Sequence, residues 1–254
     1  MYGVKNGAFV WSPPVWQEIL RWPLPHNGFG DRLLLRAVAL FVKRHVRFID
    51  GLENLLDDPR PFILVANHSS RREAVVMPAF LMLHRGGRLV HFFADWTFQL
   101  IPGVGWVYRR AGAIVVGRKP ARPRFLNVFK PFLTDPVPPL ERARLHLAAG
   151  RPIGIFPEGT VNRNPAELLP GRNGAARLSL ETGVPVVPMG LRFPDARGHG
   201  LGAMEINIGP PMRPPQIETR PAPVAAVREW HATLMSAIAS LSGKVWKPRH
   251  GERI

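Results

Sequence analysis

Two short blocks about ninety residues apart carry the side chains best suited to chemistry. The first, Asn67-His68-Ser69-Ser70-Arg71-Arg72-Glu73, sets an imidazole five residues ahead of a carboxylate, straight after the apolar run Phe62-Ile63-Leu64-Val65-Ala66. A neutral imidazole beside a carboxylate is the usual way to build a general base near pH 7. The acid fixes the ring tautomer and stabilises the imidazolium that forms when the other nitrogen takes a proton. Residues five apart do not share a helix face; those three or four apart do. His68 is therefore expected at a strand end or in a turn. Glu73 then falls in the first turn of the next helix, where the dipole favours an acid, and Ser70 suits a cap on that helix. The second block, Phe156-Pro157-Glu158-Gly159-Thr160, follows the strand-like run Pro152-Ile153-Gly154-Ile155 and ends in a turn. It presents a carboxylate, a glycine and a hydroxyl. A lone histidine is more often structural than catalytic, and it is the pairing with Glu73 and this second block that shift the balance.

Hydrophobic periodicity supplies elements to hold these groups. Strands are expected at 61–66, 89–94, 113–116, 153–156, 184–191 and 205–208. Helices are expected at 15–21, 29–46, 71–85, 140–149, 172–182 and 224–241, the last two closed by Gly183 and Gly243. The final helix sets Val227, Trp230, Leu234, Ile238 and Leu241 on one side. Residues 96–106, apolar with Pro102 and two glycines, suit a short helix and a turn. Strands alternating with helices argue for a single α/β domain: a mostly parallel central sheet flanked by helices on both faces.

The composition narrows the chemistry further. A chain of 254 residues with 46% apolar side chains can bury a substantial core. It has no cysteine, which removes disulfides, thiolate zinc sites and cysteine nucleophiles. No Gly-x-Ser-x-Gly elbow, HExxH pair, P-loop or Rossmann fingerprint is present. His84 and His91, seven apart around Arg85-Gly86-Gly87-Arg88, are not read as metal ligands. The proline-broken N-terminus does not read as a signal peptide, and no run reaches the ~18 apolar residues of a membrane span. A cytoplasmic protein is expected.

A net charge of +16 calls for an anionic partner or reflects an arginine-rich proteome. The basic residues are scattered and match no nucleic-acid motif, so no nucleic-acid partner is expected. An anionic membrane surface fits better. Residues 32–44 are apolar in the middle and basic at both ends, with Trp11, Trp16 and Trp22 upstream. Such a helix could lie in the interface plane or pack on the core, and both hold if one face does each. Residues 118–139 are basic at their start and hold six prolines, with Phe125, Phe129 and Phe132 spaced four and three apart. Core packing is the favoured reading of that stripe, and contact with an acyl chain or membrane the sharper one.

The two blocks together resemble the glycerolipid acyltransferase superfamily, the bacterial 1-acylglycerol-3-phosphate acyltransferases in particular, which carry NHxSxxD and FPEGT in this order. Gly112-Ala113-Ile114-Val115-Val116-Gly117-Arg118 resembles the family's second motif, and Val184-Pro185-Val186-Val187-Pro188-Met189 the fourth. Gly171-Arg172-Asn173-Gly174-Ala175-Ala176-Arg177-Leu178 is similar to the basic-Gly-Ala helix start that follows FPEGT. The likeness runs from about Phe62 to Leu191, roughly half the chain. Three departures stand out. The family's aspartate is Glu73, giving an HX4E variant of HX4D. Its extra methylene moves the carboxylate ~1.5 Å against a catalytic tolerance near ~0.5 Å, so the backbone must compensate. Glutamate also stands at this position in lipid A late acyltransferases and mycobacterial mannoside acyltransferases. Val161-Asn162 replaces the usual arginine-serine, and Val116-Gly117 stands where an acid often precedes the arginine.

The resemblance implies an acyl-CoA or acyl-carrier-protein thioester that gives its chain directly to a hydroxyl of a lysophospholipid such as 1-acylglycerol-3-phosphate. His68 would act as general base and Glu73 as its orienting acid, with backbone amides holding the oxyanion and no metal or other cofactor. Arg118, Glu158, Gly159, Thr160 and Arg172 would bind substrate, the arginines because a planar guanidinium grips two phosphate oxygens at once. Residues 1–50 would form an N-terminal helical, interfacial segment and 51–254 the acyltransferase domain, peripheral on the inner face of the cell membrane. A different acceptor (an ornithine lipid, a glycolipid, a natural-product amine or alcohol) and a non-catalytic membrane-binding relative are the competing readings.

Overall fold

The run Ile63–Ala66 is a strand buried on both sides, and its period of two divides the protein's interior. Ile63 and Val65 point into one hydrophobic cluster, Leu64 and Ala66 into the other. The computed structural model describes residues 2–5, 8–11, 14–56, 60–70, 72–194 and 203–248. Its strands are β1 (Tyr2–Lys5), β2 (Ala8–Trp11), β3 (Val46–Asp50), β4 (Ile63–Ala66), β5 (His91–Asp95), β6 (Ile114–Val116), β7 (Ile153–Ile155), β8 (Val186–Arg192) and β9 (Met204–Ile208). Its helices are α1 (Trp16–Arg21), α2 (Phe29–Val42), α3 (Glu53–Leu56), α4 (Glu73–His84), α5 (Val104–Arg110), α6 (Lys130–Leu133), α7 (Pro139–Ala148), α8 (Gly174–Thr182) and α9 (Val224–Ser242).

Seven strands form one sheet in the order β3-β9-β8-β4-β7-β5-β6. Five of its six pairings are parallel; β8 and β9 run antiparallel. Helix α4 covers one face through Val76, Met77, Phe80 and Leu81. Helices α7, α8 and α9 cover the other, with Val227, Trp230, Leu234 and Ile238 of α9 buried as the sequence pattern requires. The α9 C-terminus lies against the backbone of β8: a Cβ on Gly190 would sit 2.1 Å from the Leu241 carbonyl carbon. The expected α/β architecture is the one found. Helices α1 and α2 add an outer layer on α4, through Ile19, Leu24, Leu35, Ala39 and Leu83.

The N-terminal region differs from its expected helical character. Residues 43–45 close α2 in a 3-10 turn, and Val46–Asp50 becomes β3, the edge strand beside β9. Val46 and Ile49 both join the core although they are three apart, because the pairing with β9 is irregular between Val46 and Phe48. A boundary at residue 50 thus falls at the end of a strand of the main sheet. Helix α2 shows both faces the sequence allows: Leu35 and Ala39 are buried, while Phe29, Leu33 and Phe41 are exposed. Trp11 stands in the sequence among the tryptophans upstream of the interfacial helix candidate. The Trp11 side chain and residues 249–254 lie outside what is described.

A larger correction concerns Phe125, Phe129 and Phe132. They are 72%, 48% and 83% exposed and do not join the core. Periodicity shows that a helix is one-sided, not which way the apolar side faces.

Two buried-leaning histidines give the fold a pH dependence. Burial pulls His84 down to about 3, and burial together with the neighbouring His91, Arg151 and Arg142 pulls His146 down to about 4. His84 packs on Phe80 and Trp22, and His146 lies 4.1 Å from the His91 ring. The unfolded chain takes up these protons below pH ~6.5 while the folded chain refuses them. Stability is therefore level above that value and falls as pH drops towards 4, by on the order of 1–2 kcal/mol from His84 at pH 5 and by less from His146, which solvent screens more. Urea unfolding at pH 7 and pH 5 should show the loss, and His146→Asn should reduce it, leaving the share of His84. An equal slope in that variant would contradict the assignment.

Candidate active site

Strands β4 and β7 are neighbours at the centre of the sheet, parallel, and both end at the same edge. Past β4 the chain turns to α4 on one face; past β7 it reaches α8 on the other. Such a divergence opens a crevice at the carboxyl ends of the strands. The His68 block and the Phe156–Thr160 block are the two lips of that crevice.

Asn67 sets the direction in which the chain leaves β4. Wholly buried, it accepts the Leu191 N–H at 2.7 Å on Oδ1 and donates from Nδ2 to the Leu191 carbonyl at 3.0 Å. Its side-chain amide continues the β4–β8 ladder in place of a peptide group and frees the main chain to turn. His68 is then pinned at both backbone groups by the other lip. Its N–H donates to Glu158 Oε1 at 2.9 Å, and its carbonyl accepts the Asn162 N–H at 2.7 Å. Its ring stacks on Phe156 at 4.4 Å, with 22° between the planes.

Glu73 is the first residue of α4, as its spacing from His68 predicts, and is almost wholly buried. Its Oε2 lies 3.0 Å from His68 Nδ1, and both carboxylate oxygens accept the Ser69 N–H, at 3.1 and 2.9 Å. The side chain folds back over its own helix start, and this is how the longer acid is accommodated. Burial raises the Glu73 carboxyl above its ordinary value. The His68 contact and the Ser69 and Ser70 amides pull in the opposite direction. With Nδ1 facing Glu73, Nε2 is the nitrogen able to take a proton. Ser70 Oγ accepts the Arg72 N–H at 3.0 Å, just ahead of α4.

Glu158 is turned inward. Besides the His68 amide, its carboxylate accepts the Leu169 N–H at 2.9 Å and Asn162 Nδ2 at 2.6 Å. It therefore braces the loop that carries His68. Gly159 has φ of 66°, in the left-handed region, and a Cβ there would sit 2.9 Å from Arg172 Nε. The positive φ is what calls for glycine here, since the exposed Arg172 side chain can move aside. Arg172 anchors its own backbone to the Pro157 carbonyl and lays its side chain along Gly159. Gly159, Thr160 and Arg172 are exposed on the rim. Arg118 is also exposed, two residues past β6, at the same edge of the sheet. Three strand spacings separate β6 from β4, about 14 Å.

No sequence pattern assigns a role to three further contributors. Asn67 and Asn162 act through side-chain bonds to residues distant in the chain. Lys244 follows the Gly243 helix stop and donates to Ser69 Oγ at 3.1 Å and to the Asn164 carbonyl at 2.7 Å. Burial lowers its pKa, while Glu158 and Glu73 act to raise it. Val245 and Trp246 bind the Ala166–Pro170 loop, so the segment after α9 holds the lower lip in place.

Several comparisons bear on this arrangement. A 1-acyl-sn-glycerol-3-phosphate acyltransferase of Brassica napus is 29% identical over 143 residues, 56% of this chain and 36% of its own length. One from Arabidopsis thaliana is 28% identical over 143 residues, 56% of this chain and 35% of its own. The chain thus spans about a third of the length of the curated relatives it matches. Among solved structures, the 1-acyl-sn-glycerophosphate acyltransferase PlsC of Thermotoga maritima superimposes with a TM-score of 0.54 at 22% identity. That match covers 92% of this chain and 82% of the other, and it supports the fold. Residues 46–192, from β3 through the end of β8 and with both lips of the crevice inside them, match the Acyltransferase family, and the chain belongs to that family.

Proposed function

We propose that the protein transfers a fatty acyl chain from an acyl-CoA or acyl-carrier-protein thioester to the hydroxyl of a lysophospholipid, 1-acylglycerol-3-phosphate in the first instance. The observation that carries this is the His68 Nδ1–Glu73 Oε2 contact of 3.0 Å, held at a crevice lip by backbone bonds to Glu158 and Asn162. The names of the plant relatives and of the bacterial structure, each an acyltransferase acting on that acceptor, support the same substrate.

The acceptor hydroxyl gives its proton to His68 Nε2 as its oxygen bonds to the thioester carbon. Glu73 keeps the ring oriented and balances the imidazolium. Collapse of the tetrahedral intermediate breaks the carbon–sulfur bond, and the imidazolium proton goes to the departing thiolate. No covalent enzyme intermediate and no metal enters. Arg172, beside Gly159 and Thr160, and Arg118 further along the edge bind the acceptor phosphate, with Glu158 as the brace that positions His68. The 1–50 segment contributes the outer face of α2 as an interfacial contact, on the cytoplasmic side of the membrane. In support, Phe29, Leu33 and Phe41 are exposed on that face.

The test is thiol release from palmitoyl-CoA with and without oleoyl-lysophosphatidate. Acceptor-dependent release supports the reading; release indifferent to the acceptor sends the search to other hydroxyls. Arg118→Ala should raise the acceptor KM about tenfold, as expected for the loss of one charge-assisted contact worth ~1.5 kcal/mol. Slow hydrolysis of the thioester should be unaffected. Equal effects on both would place Arg118 on the donor.

A further inference from the structure

The exposed stripe Phe125, Val128, Phe129 and Phe132 lies outside the site described above. It runs over a 3-10 turn at 124–129 and into α6, at spacings of three, one and three that line one face of a helix. Residues 118–134 carry five lysines or arginines and no acid. Lys119, Arg122 and Arg124 are exposed around the stripe, and Lys130 is partly so.

The segment beneath is firmly held. Trp96 Nε1 donates to the Lys119 carbonyl at 2.7 Å, and Gln99 Nε2 to the Leu133 carbonyl at 3.0 Å. Ala121 is buried, and its N–H donates to Asn127 Oδ1 at 2.8 Å. Both ends and the inner side are thus fixed, so the phenylalanines face outward because of how the segment is built. Its place is equally defined. Residues 96–100 follow β5 and residues 117–133 follow β6, both parallel to β4 and β7. The stripe therefore stands at the same edge of the sheet as His68.

We propose that the Phe125–Phe132 face is a docking element for an anionic bilayer, sinking its aromatic side into the headgroup–acyl boundary while the surrounding lysines and arginines meet lipid phosphates. A strongly apolar face ringed by cations with no acid is the pattern of an interfacial helix. Self-association would press the five cations of one copy near those of another, and charge favours the lipid. Docked this way, the crevice edge faces the membrane, and a lysophospholipid reaches His68 without crossing water. This rests on the lipid acyltransferase reading and adds a second contact to that of α2.

The test compares wild type with Phe125→Ser/Phe129→Ser/Phe132→Ser by co-sedimentation with vesicles. One set is phosphatidylglycerol–phosphatidylcholine and the other phosphatidylcholine alone. Wild type should bind the anionic set, and the triple variant at least tenfold more weakly. Turnover of a short-chain, monomeric lysophosphatidate should match wild type in the same preparation. Equal vesicle binding by the two proteins overturns the proposal. So does selective loss of turnover with long soluble acyl chains, which would make the face a chain groove. A dimer dispersed by the triple variant, with no vesicle dependence, also overturns it. Absence of soluble turnover in both proteins would count against the acyltransferase reading, leaving the vesicle result to decide docking separately. Phe132→Ser alone, at the most exposed position, should show a smaller loss of the same sign. It serves as the readout if the triple variant does not fold.

Discussion

Replacing His68 by alanine should lower kcat for acyl transfer by about 10³-fold while the protein stays folded. A positioned general base contributes ~10²–10⁴-fold. In the proposed mechanism the imidazole is both the base at Nε2 and the carrier of the proton to the leaving thiolate, so both uses would be lost together. The fold should survive because the lip is not held by the imidazole. The backbone N–H and carbonyl of residue 68 bond to Glu158 and Asn162 whatever the side chain. Glu73 keeps the Ser69 amide at both carboxylate oxygens. Thiol release with and without lysophosphatidate, beside far-ultraviolet circular dichroism, checks both halves. Acceptor-dependent turnover within tenfold of wild type would remove His68 from the role of base.

How much of this was legible in the sequence differs residue by residue. His68 at a strand end and Glu73 at a helix start follow from a five-residue spacing after an apolar run, because local geometry alone decides them. The sheet was legible for a similar reason: a fully buried strand such as Ile63–Ala66 reads as a continuous apolar run. The bracing of the lip was not. Asn67 reaches Leu191 and Glu158 reaches His68 through single side-chain bonds over 124 and 90 residues, and no periodicity records such a bond. The replacement of arginine-serine by Val161-Asn162 did mark the right place. The structure gives Asn162 a use there, tying Glu158 and the His68 carbonyl together. The phenylalanine stripe was misjudged because spacing fixes a face and not its direction. The lysines and arginines around it, with no acid among them, held the missing information.

Glu73 offers the sharper test, because two substitutions separate charge from reach. Glu73→Gln keeps the length but puts an amide where the carboxylate accepts from both His68 Nδ1 and the Ser69 N–H. With its oxygen at the Oε2 position the amide can still accept from both, but it carries no charge to balance the imidazolium, and its NH2 replaces the Oε1 that lies 3.1 Å from the Ser69 N–H. Turned the other way, it faces Nδ1 with its NH2 and drives the ring to the tautomer with a protonated Nε2. Either weakens the base, and loss of the orienting carboxylate in such dyads costs as much as ~10⁴-fold; about 10²–10³-fold is expected here. Glu73→Asp keeps the charge and retreats by ~1.5 Å, one carbon–carbon bond. Because the carboxylate folds back from the first residue of α4, a small shift of the helix start can recover part of that distance, and a loss of about tenfold is expected. The order should be Asp above Gln, measured as kcat for thiol release at saturating acceptor. If Glu73→Gln kept wild-type turnover, the dyad would be a structural contact and His68 would have to act without it. If Asp fell as low as Gln, reach and not charge would be the limiting property, and the extra methylene of this chain would be part of how its crevice is set.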